Sequence, residues 1–137
     1  MNVIQRALIV VSVSVSGAMA LVAQEQGEAQ PSVLEGVYTE AQAERGHTVY
    51  EDRCTLCHAS DQFTGAVFKT WVGGSVGRLY SLIRGTMPEE DPGGLADAEY
   101  ADLVAYLLRI NGYPAGDGEL PPDRALLNRI RLEDRSD

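Results

Sequence analysis

Apolar positions recur along this chain at helical spacing. Val76, Leu79, Tyr80 and Ile83 stand at offsets 0, 3, 4 and 7, and Tyr100, Leu103, Val104 and Leu107 repeat the same stripe. That periodicity puts each set on one face of a helix, predicting helices over 75–84 and 97–110. Gly85 is expected to end the first and Asn111-Gly112 the second. An earlier helix is announced by Thr39-Glu40-Ala41-Gln42, a capping box with Thr39 as N-cap and Gln42 at N3. It should run through Tyr50 to about Arg53. Residues 63–74, with the aromatics Phe68 and Trp71, read as irregular loop, 89–94 as a Pro/Gly turn and 112–122 as loop. Residues 123 to about 132 are expected to form a last short surface helix. With no alternating strand pattern, the fold class is all-α.

The two ends read differently. Arg6 precedes an apolar run from Ala7 to Val15 broken only by serines, and Ala18-Met19-Ala20 fits the small-x-small rule for leader cleavage, with Ala23 a second end. The uncharged stretch 7–23 is 17 residues long, short of the ~20 of a spanning helix. Residues 1–23 are therefore expected to be a cleaved export signal, with a retained N-terminal anchor as the rival reading, and the mature protein is expected in a periplasm. Residues 24–36, rich in Gln, Glu, Gly and Pro, read as a flexible linker. The folded domain is placed at 37–132 and a tail at 133–137.

Composition narrows the partners. Among 137 residues there are 11 Lys+Arg against 20 Asp+Glu, a net charge of −9, and Lys69 is the only lysine. Nucleic acid needs a basic footprint that this chain lacks. Two cysteines cannot make a disulfide framework. A core of about a hundred residues is small, so a large group filling its centre would stabilise it considerably.

The chemistry sits in Cys54-Thr55-Leu56-Cys57-His58, the C-x-x-C-H attachment sequence for c-type haem. Thiols three positions apart can each add across one vinyl group, and the adjacent His58 is then delivered to the iron. Three other readings are weaker. A thioredoxin-like redox pair needs a βαβ context. A disulfide here closes a loop too short to stabilise much. Zinc would have to use Cys54, Cys57, His58 and His47, with strain between the adjacent pair. Among methionines, Met1 and Met19 fall in the leader, which leaves Met87 as candidate distal ligand. Pro88 biases Met87 toward extended backbone between two helices. His47, eleven residues before His58, is the competitor.

These residues resemble the class I single-haem cytochromes c over roughly 36–132. Gly46 and Tyr50 stand eight and four positions before Cys54, Tyr106 matches the aromatic of the C-terminal helix that packs on that glycine, and Met87-Pro88 matches the distal ligand. The resemblance implies three to five short helices wrapped around one covalent haem c, with His58 and Met87 on its iron. It also implies that Trp71 contacts a propionate and Tyr80 packs on the haem. A narrower likeness, through Trp71-Val72-Gly73-Gly74, Leu79-Tyr80, Thr86-Met87-Pro88 and Asn111-Gly112-Tyr113-Pro114, is to cytochromes serving exported quinoprotein (PQQ-type) dehydrogenases. One departure is that 59–74 holds no proline. Many family members use a proline carbonyl there to accept the proximal His N–H, so the acceptor for His58 is left open.

The implied function is one-electron transfer between a dehydrogenase or quinol-oxidising complex and a terminal oxidase or reductase, without catalysis by the chain itself. A permanent dehydrogenase subunit, docked through 112–137, is the alternative. A haem peroxidase is a further one, lacking an evident distal His or Arg. Intact mass of the exported protein should correspond to a chain beginning at Leu21 or Gln24 plus one haem. A chain retaining Met1 in the membrane fraction would establish the anchor instead.

Overall fold

A computed structural model describes residues 29–135. The expected leader 1–23 and the first part of the expected linker lie outside the described residues. Within them the order is a 3₁₀ turn Val33–Glu35, α1 Glu40–Arg53, a 3₁₀ turn Ser60–Phe63, α2 Gly65–Lys69, α3 Val76–Thr86, α4 Asp97–Ile110 and α5 Arg124–Leu127. Among the described residues there is no strand, only isolated bridges from Arg131 to Ser32 and Ser75. The all-α expectation is met.

Local chemistry explains the helix ends. Thr39 Oγ1 accepts the Gln42 N–H at 3.1 Å, as an N-cap should. The reciprocal half of the expected capping box is missing. Gln42 is buried, and its amide instead clamps the Leu120 backbone, donating to the carbonyl at 3.0 Å and accepting from the N–H at 2.8 Å. A buried amide must find partners, and the chain crossing above it supplies two. Ser75 caps α3 through the Arg78 N–H. Glu99 reaches back to the Ala96 N–H at 2.8 Å to start α4.

Other boundaries move. Gly85 does not end α3, which continues through Thr86. The break falls at Met87, extended at φ −129°, ψ 149° ahead of Pro88. The expected loop 63–74 contains α2, too short to show a periodic stripe, with Phe68 buried against Tyr113 at 5.8 Å. The expected 123–132 helix stops at Leu127, because the backbone beyond it is used elsewhere. Ile130 O accepts from Val76 N, Leu132 N donates to Gly74 O, and Leu132 O accepts from Gly73 N.

The same strip corrects the linker. Val33 N donates to Arg131 O, Arg131 N donates to Pro31 O, and Val33 is fully buried. Residues 31–36 are thus part of the packed body. Polar composition concealed one apolar anchor and a Ser32/Glu35 capping box. Leu127, Ile130 and Leu132 are buried as well, so the C-terminal segment closes the domain.

The core is the packing of α1 on α4. Their approach is permitted by Gly46: a Cβ built there would overlap the carbonyl oxygen of Asp102 and come within 3.0 Å of Leu103 N. The close approach is therefore to the α4 backbone, one turn before Tyr106. The ring of Tyr106 packs instead on His47 and Tyr50, with centroids at 5.0 and 5.2 Å. Arg45 ties the same two helices with a two-pronged bond to Asp102, at 2.9 and 3.0 Å. Gly46→Val should lower stability by about 1–3 kcal/mol or more through overpacking, read as a fall in melting temperature of roughly 4–8 °C per kcal/mol. An unchanged melting curve would contradict this packing.

Candidate haem site

The C-x-x-C-H segment begins where α1 ends. Cys54 is the C-cap, its N–H bonded to Tyr50 O at 2.9 Å, and its own carbonyl accepts from Cys57 N at 3.1 Å and His58 N at 2.9 Å. This turn brings Cys54, Cys57 and His58 onto one cavity of about 230 Å³, while Leu56 between them is 93% exposed. Tyr50 braces the turn by donating its hydroxyl to His58 O at 3.0 Å. Burial pushes the Tyr50 phenol up to about 12, so it remains a donor. Burial also pushes the Cys54 thiol up, opposed by Arg53 and reinforced by Glu90.

The His58 ring lies edge-on to Phe63 at 5.0 Å, and its Nδ1 is 3.3 Å from Gln62 Oε1. Phe63 O is in turn held by Asn111 Nδ2 at 2.9 Å, from the C-cap of α4.

Met87 enters the same cavity from the chain after α3. Its N–H is bonded to Ile83 O at 2.8 Å, and its carbonyl accepts from Tyr100 OH at 2.7 Å. Leu79, Ile83, Leu95, Leu103 and Leu107 supply apolar wall, with Tyr100, Trp71 and Phe63. The donor set fits a covalent haem: two thiols at attachment spacing, a neighbouring imidazole, a thioether from a separate segment, and apolar surroundings.

The chain matches, over residues 41–107, the family model described as cytochrome c oxidase, cbb3-type, subunit III. Residues 41–107 are thus a class I c-type cytochrome domain. Its cofactor is one covalently bound haem c with iron, and its role is electron transfer with protein redox partners. No curated protein and no solved structure was found to match the chain. Among the described residues, no helix of the cytochrome is long and apolar enough to cross a membrane.

Of the expected site residues, Cys54, Cys57, His58, Met87 and Trp71 line the cavity and Tyr80 does not. Tyr80 sits behind the wall, its ring edge-on to Tyr100 at 6.2 Å. Its stripe partners Leu79 and Ile83 take the lining positions. Trp71 carries the Arg78 guanidinium over its ring at 5.6 Å. His47 lies outside the cavity, stacked on Tyr106 with Nε2 at 3.4 Å from the Glu51 carboxylate. Among the described residues no group of three or more His, Cys, Asp or Glu could hold a metal ion by itself.

Tyr100, Arg53 and Gln62 were missed from sequence. Tyr100 looks like one more member of the α4 stripe, and its hydroxyl is what distinguishes it. Gln62 carried a faint signal, four residues beyond His58. Double replacement of Cys54 and Cys57 by Ser should abolish haem staining after denaturing electrophoresis. A stained double variant would remove the covalent assignment.

Proposed function

We propose that this cytochrome domain is an exported one-electron carrier, with Cys54 and Cys57 as thioether anchors, His58 as proximal and Met87 as distal ligand. The observation that carries the reading is the convergence of all four side chains on one apolar cavity. The haem supplies the redox chemistry. The chain holds it, sets its electronics and excludes water. A soft thioether beside one imidazole favours ferrous iron more than two imidazoles would, which raises the potential. The placement of His47 on Tyr106 supports Met87 as the ligand. Trp71 is the candidate propionate contact, with Arg78 beside it.

Two carboxylates, Glu89 and Glu90, stand exposed at the cavity rim with Arg53. Of the other cations close by in sequence, Arg84 pairs with Asp97 at 2.7 Å and Lys69 with Asp134 at 3.9 Å, which leaves Arg53 against two carboxylates at the rim. The rim of this acidic protein thus favours a redox partner with a basic patch, steered over roughly a Debye length, about 8 Å at physiological salt.

A second reading is a fixed subunit of a larger redox complex, favoured by the description of the matched family as an oxidase subunit. A dehydrogenase is the other host for such a subunit, through the narrower sequence likeness. Size-exclusion of a native extract separates the carrier, which elutes alone, from the subunit, which does not. A peroxidase reading finds less support, since His58 is the one histidine lining the cavity.

Met87→Ala should lower the potential and abolish the far-red sulfur-to-ferric-iron absorption band. A wild-type spectrum of the two-imidazole kind would return His47 to the iron. The bimolecular electron-transfer rate should fall steeply with ionic strength, and Glu89→Gln/Glu90→Gln should flatten the slope. A rate that is flat or rises with salt would refute steering by the rim.

A further inference from the structure

We propose that Gln62 is the positioning residue for the proximal imidazole: its side-chain carbonyl accepts the Nδ1–H of His58 and so fixes the ring's tautomer and its donor strength toward iron. The inference rests on the assignment of His58 as proximal ligand.

An imidazole that ligates through Nε2 must carry its proton on Nδ1, and that N–H needs an acceptor. The His58 ring has one at 3.3 Å, Gln62 Oε1. The opposite orientation of the amide would donate to Nδ1, leave the proton on Nε2 and block ligation, so only the carbonyl end is compatible with iron.

Four backbone carbonyls close by in sequence already have partners. His58 O accepts from Tyr50 OH, Ala59 O from Gln62 N, Asp61 O from Thr64 N and Oγ1, and Phe63 O from Asn111 Nδ2. No proline interrupts 59–74, which leaves the Ser60–Phe63 turn free to form and to carry residue 62 beside the ring.

The turn is also well held. Its last residue is tied to α4 through Asn111, and Phe63 packs on the imidazole it adjoins. His58 is thereby fixed at two points, at its carbonyl by Tyr50 and at Nδ1 by Gln62.

A side-chain acceptor differs from a backbone one in two ways. Gln62 is exposed, so water competes for the same N–H, and the acceptor's strength depends on a single replaceable side chain. An accepted Nδ1–H makes the imidazole a stronger donor, which favours ferric iron and lowers the potential.

The test uses the haem-loaded full chain, with midpoint potential and the exchange rate of the His58 Nδ1 proton by NMR as readouts. Gln62→Leu should shift the ferric-over-ferrous preference about tenfold toward ferrous, a rise of about 59 mV for a one-electron couple, and should speed Nδ1 proton exchange. Gln62→Glu, which keeps an acceptor oxygen in place, should lower the potential and slow that exchange. If Gln62→Leu loads poorly, the sign of the Gln62→Glu changes decides alone. Variants with wild-type potential and exchange would overturn the proposal and leave the electron-carrier reading intact. Failure of wild-type protein to show a haem-shifted His58 would instead overturn the ligation on which it rests.

Discussion

Where α1 crosses α4, the backbone at Gly46 lies against the carbonyl of Asp102 with no room for a side chain, and the placement of the site descends from that contact. One turn further along α1, Tyr50 is brought between Tyr106 and the start of the C-x-x-C-H turn. Its hydroxyl reaches His58 O. Residues of α4 on the same side, Leu103 and Leu107, become cavity wall. Separating these helices would displace the apolar lining and the turn bearing the thiols together. Arg45 reinforces the crossing through Asp102, and Gln42 ties α1 to the later chain at Leu120.

The two sides of the cavity are built by different means. His58 is held by short-range folding of its own segment, in a turn closed on Cys54 O and a second turn that places Phe63 and Gln62 around the ring. Met87 is held by a discontinuity. Helix α3 ends just before it, the chain runs extended, and Tyr100 fixes its carbonyl from a distant helix. Such a division suits a group attached covalently on one side: the motif alone can position the thiols, whereas the distal side depends on the assembled fold.

Much of this was legible in the sequence. The 0, 3, 4, 7 stripes of α3 and α4 located both helices because those faces are continuous and buried. Thr39 acts as the cap the sequence announced, because its side-chain oxygen satisfies a helix N–H group. What escaped was non-local. Gln42 fits a capping box perfectly by spacing, and only the arrival of Leu120 diverts its amide. Val33 is a single apolar residue in a polar stretch, and its burial depends on strand-like bonds to Arg131, about a hundred positions away. Tyr80 and Leu79 are equivalent by periodicity, yet a rotation of one position along α3 decides which of them meets the cavity. The motif residues were readable because covalent chemistry imposes their spacing. Of the residues supporting them, Tyr50 stands at a family spacing and Tyr100 at none.

Helix α4 touches both sides of the cavity through groups near its two ends: Tyr100 OH holds the Met87 carbonyl, and Asn111 Nδ2 holds the Phe63 carbonyl beside His58. Eleven residues separate them, about 16 Å along a helix rising ~1.5 Å per residue. The helix works as a rigid spacer between the segments that carry the two candidate axial ligands. A stiff gauge of this kind resists changes in the distance between those segments. Were His58 and Met87 to hold one iron, this gauge would limit how far their segments could part as its charge changed.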